Sequence, residues 1–198
     1  MQERHFEGSR RAARGEGADA GEVRLLGLIE AGDKAAFTAL YRAYFPRLTR
    51  FLDRMTRSAS LIEEIVNDTM LVVWQRADSF NHSSRVSTWI FAIAYRKALK
   101  AIDAFDDPVE ADGDAGPGDR AHEPEAALSA QQLQYNVARA LDALPLVQRT
   151  VVNLTYYHGM AYEEIAAIME CPVNTVKTRM FNARTRLRIL LAGQLEQE

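Results

Sequence analysis

Between Asp106 and Asp119 the chain reads Asp-Asp-Pro-Val-Glu-Ala-Asp-Gly-Asp-Ala-Gly-Pro-Gly-Asp, with almost nothing to bury. Clustered Pro, Gly and Asp cannot compensate the entropy of ordering, so this stretch reads as an extended linker. It divides the 198 residues into two halves, each below the size at which a core is comfortable alone. The boundaries expected are a disordered N-terminal extension at 1–21, a first domain at 22–105, the acidic linker at 106–126 and a second domain at 127–195.

The linker also decides how the charge is read. The whole chain has 24 Lys and Arg against 27 Asp and Glu, a net of −3, which on its face argues against a nucleic-acid partner. Residues 106–130 hold a net of −7, whereas residues 33–105 hold +4 and residues 131–198 hold +1. The average hides two mildly basic blocks. The acid run itself is open to two readings, a solvated spacer or a mimic of a nucleic-acid strand.

No window approaches 18 consecutive apolar residues, so no transmembrane span is expected. The Arg/Gly/Glu/Ala-rich start carries no apolar stretch of a signal peptide. The single cysteine, Cys171, excludes an internal disulfide and reads as a small apolar turn residue or a redox group. These features predict a cytoplasmic protein.

In the first half, Phe37, Leu40, Tyr41, Tyr44, Leu48, Phe51, Leu52 and Met55 recur at helical steps. Asp33 after Gly32 suits an N-cap, and Pro46 is placed to kink or split the helix. Ser60 to Glu63 has capping-box spacing and opens a second helix. That helix carries Glu64, Asp68, Leu71 and Gln75 on one face, either plain surface or a docking face. A polar loop around Phe80 follows, then a third helix over 86–105. There Trp89, Arg96 and Lys100 share a stripe beside Tyr95 and Lys97. The aromatics are either core or platforms on which unpaired bases stack.

In the second half, helices are expected over 128–144, 146–157 and 162–169, then a tight break at 170–173. Asn174 is the expected N-cap of a long helix to about residue 191. On it Val176, Met180, Ala183, Leu187 and Leu190 form one apolar stripe, at about 100° per residue. Thr178, Asn182 and Thr185 lie opposite, flanked by Lys177, Arg184 and Arg188 on one side and Arg179 and Arg186 on the other. No acidic residue occurs between Cys171 and Leu195. A short helix, a turn and a helix of this kind outline a helix-turn-helix whose polar centre reaches base edges. The fold class is therefore all-α, two small helical domains. Scattered histidines and no nucleophile or phosphate-loop motif leave no enzyme site, and no metal or cofactor is expected.

These residues resemble a family. Asp33-x-x-Ala-Phe-x-x-Leu-Tyr41, Glu64-Ile-Val-Asn-Asp-Thr-Met-Leu-x-x-Trp74, Phe80 and Ser87-Thr-Trp-Ile-Phe-x-Ile-Ala94 are similar to region 2 of extracytoplasmic-function (ECF) sigma factors. Leu141-Asp-x-Leu-Pro145, Tyr162-x-Glu-Ile-Ala166 and Pro172-Val-x-Thr-Val-Lys-x-Arg179 are similar to their region 4. The resemblance implies a subunit that gives core RNA polymerase its choice of promoter. Glu64, Asn67, Asp68, Leu71 and Gln75 would meet the clamp helices of the largest polymerase subunit, and the second domain the flap. Phe80, Asn81, His82, Ser83 and Ser84 would hold a flipped base of the −10 element, and Trp89, Arg96, Lys97 and Lys100 would track the strand. Asn174, Thr175, Lys177, Thr178, Arg179, Asn182 and Arg184 would read the −35 element, with Arg149, Tyr162 and Glu163 near its backbone. The free protein would be a monomer held by an anti-sigma factor, one able to keep it at the inner membrane. The competing reading is a stand-alone helix-turn-helix regulator.

Overall fold

The computed structural model describes residues 19–105 and 125–195. The expected N-terminal extension, apart from residues 19–21, and the acidic linker, apart from its last two residues, lie outside the described residues. Among these the chain is helical throughout: α1 (19–30), α2 (Lys34–Asp53), α3 (Ala59–Gln75), α4 (Val86–Phe105), α5 (Glu125–Asp142), α6 (Leu146–Tyr156), α7 (Tyr162–Ile168) and α8 (Val173–Leu195). A single 3-10 turn, Ala77–Ser79, leads out of α3.

Helix α1 begins three residues before the expected domain start, because Asp19 has a role. Its Oδ1 accepts from the Val86 amide (3.1 Å) and so caps the open N-terminus of α4. Gly32, at φ +85°, lets the chain turn out of α1, and Asp33 then caps α2 by accepting from the Ala35 and Ala36 amides.

Pro46 does not split α2. Tyr44, Leu48, Phe51 and Leu52, all fully buried, anchor the helix on both sides of it. That packing outweighs the loss of about 3 kcal/mol that an interior proline imposes. Helix α3 starts two residues earlier than predicted. Ser58, not Ser60, accepts from the Leu61 amide, so the Ser60–Glu63 box does not form.

Phe37 and Tyr41, predicted core residues, are only half-buried. They form an aromatic row with Phe45, itself 39 % exposed, and Trp74. Tyr95, by contrast, is buried at 5 % exposure, which removes it as a base platform.

Asn174 does not cap α8. The helix begins at Val173, and the Pro172 carbonyl accepts from the Thr175 and Val176 amides, so Asn174 already lies inside the first turn. Proline just before the helix serves instead, its fixed φ being compatible with that geometry.

The two halves share one interior. The buried apolar residues form one cluster that runs from Leu26 and Phe51 through Phe91 to Leu154, Ile165 and Met180. Helix α4 of the first half packs directly on α7 of the second. Two small cores, each marginal alone, gain by sharing one interior.

Candidate nucleic-acid interface

Three surfaces collect the candidate residues. On α3, Glu64, Asn67, Asp68, Leu71 and Gln75 are all exposed. Leu71 is 49 % exposed, a large apolar group standing in a polar stripe. Asn67 is held by the Tyr41 hydroxyl, which donates to its Oδ1 (2.8 Å). Asp68 pairs with Lys97 (2.9 Å). The stripe is thus tied to the aromatic row Tyr41–Phe45, whose rings stack 5.7 Å apart. Sequence reading missed that row as surface. Its signal was the repeat of aromatics at 37, 41 and 45, four residues apart.

The loop after α3 is pre-formed. Phe80 is buried against His82 (4.8 Å) and Trp89 (5.6 Å), so it shapes the loop from beneath. Asn81 Oδ1 accepts from both the Ser83 amide (3.1 Å) and the Ser83 hydroxyl (2.6 Å). His82 takes a left-handed backbone (φ +58°) that turns the chain back. Asn81, His82 and Ser83 remain exposed and Ser84 half so. Beyond it on α4, Trp89 and Lys97 are half-buried, while Arg96 and Lys100 are exposed. The Arg96 guanidinium bonds Glu170 of the second half (2.7 Å).

The third surface is α7, its turn and α8. The turn is made by Glu170 at φ +49°, after which the Cys171 amide donates to the Ala166 carbonyl (3.0 Å). Val176, Met180 and Ala183 are buried and Leu187 partly so, as the helical phase requires. Asn174, Lys177, Thr178, Asn182, Arg184, Arg186 and Arg188 are exposed, and Thr175 and Thr185 half-buried. At the centre of this face stands Phe181, 69 % exposed, which sequence reading passed over. Its position three residues after Thr178 and four after Lys177 was the signal.

Several candidates are engaged elsewhere. Arg179 is half-buried and folds back on the turn, its Nη1 3.5 Å from Cys171 Sγ and 4.0 Å from Met169 Sδ. Arg149 is mostly covered and bonded to Asp142, through the carbonyl (3.4 Å) and the carboxylate (3.7 Å). Its burial lowers its pKa, opposed by the Asp142 carboxylate. Arg184 bonds the Tyr156 hydroxyl (2.9 Å). Tyr162 is half-buried and Glu163 exposed. No cluster of His, Cys, Asp or Glu able to hold a metal occurs among the described residues. No described helix is long and apolar enough to cross a membrane.

Comparison with known proteins converges on one family. Residues 40–106 match the description "Sigma-70 region 2" and residues 134–187 match "Sigma-70, region 4". The chain is 33 % identical over 159 residues to the ECF RNA polymerase sigma factor RpoE of Cereibacter sphaeroides, covering 79 % of this chain and 86 % of that one. The chain belongs to the ECF RNA polymerase sigma factors. This sigma factor is also 30 % identical over 166 residues to the ECF RNA polymerase sigma-E factor of Escherichia coli K12, with the same shares covered. Among solved structures, the sigma factor RpoE in complex with the anti-sigma factor NepR from Bartonella quintana is 26 % identical. It aligns with a TM-score of 0.61 over 79 % of this chain and 96 % of that one. CnrH in complex with the cytosolic domain of CnrY, 22 % identical, shares the fold. Its TM-score is 0.65, covering 87 % of this sigma factor and 98 % of that chain.

Proposed function

We propose that this sigma factor docks on core RNA polymerase through the α3 stripe, melts the −10 element at the 80–84 loop and α4, and reads the −35 element with α8. Residues 22–105 act as the polymerase and −10 unit, residues 127–195 as the −35 unit, and residues 106–126 as the tether between them. The observation that carries the reading is the outer face of α8. It exposes Lys177, Thr178, Phe181 and Asn182 without a single acid from Cys171 to Leu195. Amide and hydroxyl groups reach base edges, cations hold phosphates, and an exposed phenyl ring suits a thymine methyl. On α3, an exposed leucine between carboxylates and amides suits a partner helix that buries the leucine and pairs the rim.

An anti-sigma factor controls the protein, as the complex of the B. quintana relative with NepR supports. It works in the cytoplasm and supplies no catalysis of its own. Run-off transcription with core polymerase tests the proposal on templates drawn from transcript starts mapped after overexpression. Promoter-dependent transcripts that need the protein are expected. Tight duplex binding without polymerase, together with no such transcript, would instead mark a stand-alone regulator.

A further inference from the structure

We propose that the cleft at the seam between the two halves binds a small hydroxylated phosphate monoester, the chemistry of a sugar phosphate. Arg47, Arg50 and Arg54 of α2 wall it on one side, and Asn153, Tyr157 and His158 of the second half on the other.

The first wall is cationic. The three arginines stand at i, i+3 and i+7, so their side chains leave α2 on one face, where like charges repel. Asp53 is the one carboxylate among the residues that line the cleft, and Arg57 pairs with it (3.3 Å). Arg47 pairs with Glu22 (3.3 Å) and lies over the Tyr44 ring (4.5 Å). Arg50 and Arg54 have no carboxylate partner among the described residues. Arg50 directs its Nε to the Pro46 carbonyl (3.0 Å), and Arg54 lies over the Tyr157 ring (5.7 Å). These contacts orient both groups and leave their terminal N–H donors uncommitted. Guanidinium forks match phosphate oxygens, and a cleft lined by one sign of charge concentrates anions. His158 registers the same field. Burial first, then the Arg47 and Arg50 charges, lower its pKa and keep the ring neutral.

The second wall lacks hydrogen-bond partners. His158, in the turn after α6, is seated edge-on against Phe91 (4.9 Å) and Phe51 (6.0 Å). Beside it Asn153, 3 % exposed, donates from Nδ2 to the Phe51 carbonyl (3.2 Å). Asn153 Oδ1 and His158 Nε2 are buried without a partner among the described residues, an arrangement that costs stability until something pairs with them. A hydroxyl suits both, since it donates to the amide oxygen and either donates to or accepts from an imidazole nitrogen. Size points the same way. The cleft holds about 360 Å³, inside the range of roughly 300–1,000 Å³ for small-molecule sites and more than a lone ion fills.

Calorimetric titration of the full chain at low ionic strength tests this, with ribose 5-phosphate and inorganic phosphate as probes. One saturable site for ribose 5-phosphate is expected, at least fivefold tighter than for inorganic phosphate. Arg50→Gln with Arg54→Gln should weaken it at least tenfold. Arg42→Gln with Arg76→Gln, removing two exposed cations outside the cleft, should change it less than twofold. In the parent chain, saturating ribose 5-phosphate should move the His158 imidazole titration, followed by NMR, to higher pH, because a bound dianion favours the charged ring. This second measurement stands even where a variant fails to fold. No saturable binding, equal losses in the two double variants, or equal affinity for the two probes overturns the proposal. So does a His158 titration that the sugar phosphate leaves in place. Neither polymerase nor promoter enters either measurement, so the outcome is separate from that of the transcription assay.

Discussion

Lys97 Nζ lies 2.9 Å from Asp68 Oδ2, joining a cation of the proposed strand path to a carboxylate of the proposed polymerase stripe. Both groups are partly solvent-exposed, so the pair contributes no more than about 1 kcal/mol to stability. Its interest lies in exchange, since under the proposed function each partner would gain a new contact when polymerase and DNA arrive.

Asp68→Arg should therefore leave the melting temperature within about 3 °C of the parent. Core-polymerase affinity should fall at least tenfold. Thermal unfolding and a fluorescence titration with core polymerase check the two together. Unchanged affinity would remove Asp68 from the docking surface.

Phe181→Ala removes a ring that is 69 % exposed, so folding stability should stay within about 0.5 kcal/mol. Promoter activity should drop about five- to tenfold, the loss of one apolar base contact of about 1 kcal/mol or somewhat more. Replacing thymine by deoxyuracil in the −35 element should weaken the parent protein but not the variant. An additive penalty in the variant would place the ring elsewhere.

Asn153→Leu deletes the donor to the buried Phe51 carbonyl and should destabilise the chain by about 1–3 kcal/mol. For a chain of this size that is a fall in melting temperature of roughly 2–12 °C. Calorimetry on the full chain measures it, and no change would show that water satisfies the carbonyl equally well.

Glu170 holds a left-handed backbone that glycine adopts freely, at an expense of about 1 kcal/mol for other residues. Its ion pair with Arg96 is exposed and worth less than that. Glu170→Gly should leave the melting temperature level or raise it by about 2–4 °C, while loosening the seam. A clear drop would show that the pair, not the backbone, dominates.

His158 gives the seam a pH dependence. Burial, then the nearby Arg47 and Arg50 charges, push its pKa down from 6.5 to about 4. Asp53, Arg54 and Tyr157 line one cleft with it, and Asp19, Glu22, Arg85 and Glu164 line a second. A depressed pKa means that the packed form prefers the neutral ring. Its contribution is therefore complete above about pH 6.5 and is lost as pH falls toward 4. His158→Phe should flatten the stability profile across that window in thermal melts. An unchanged slope would assign the dependence to the carboxylates nearby.

The phase of α8 was legible in the sequence because one buried stripe and one acid-free face repeat at the helical period. The cap at Asp33 was legible for a similar reason, since a side chain two and three residues from its donors needs no tertiary context. The Ser58 cap, the Pro172 start of α8 and the unbroken α2 depended on which local option packing favoured. The shared core could not be read at all. Phe91 and Ile165 each lie on the apolar face of their own helix, and periodicity says that a face is buried without naming what buries it. Arg149 and Arg179 illustrate the same gap, because their positions match a DNA-facing pattern while Asp142, Cys171 and Met169 claim their guanidinium groups.

The seat of His158 also has a history in time. Phe51 and Phe91 leave the ribosome first, and the imidazole that covers them follows roughly 70 residues later, about 3–14 s at bacterial elongation speeds. Through that interval the nascent chain carries an open aromatic socket, and the Phe51 carbonyl holds only the Arg54 amide (3.3 Å). Synthesis itself thus imposes a window in which a holdase, or another copy of the same growing chain, competes for the place that the second half will later fill.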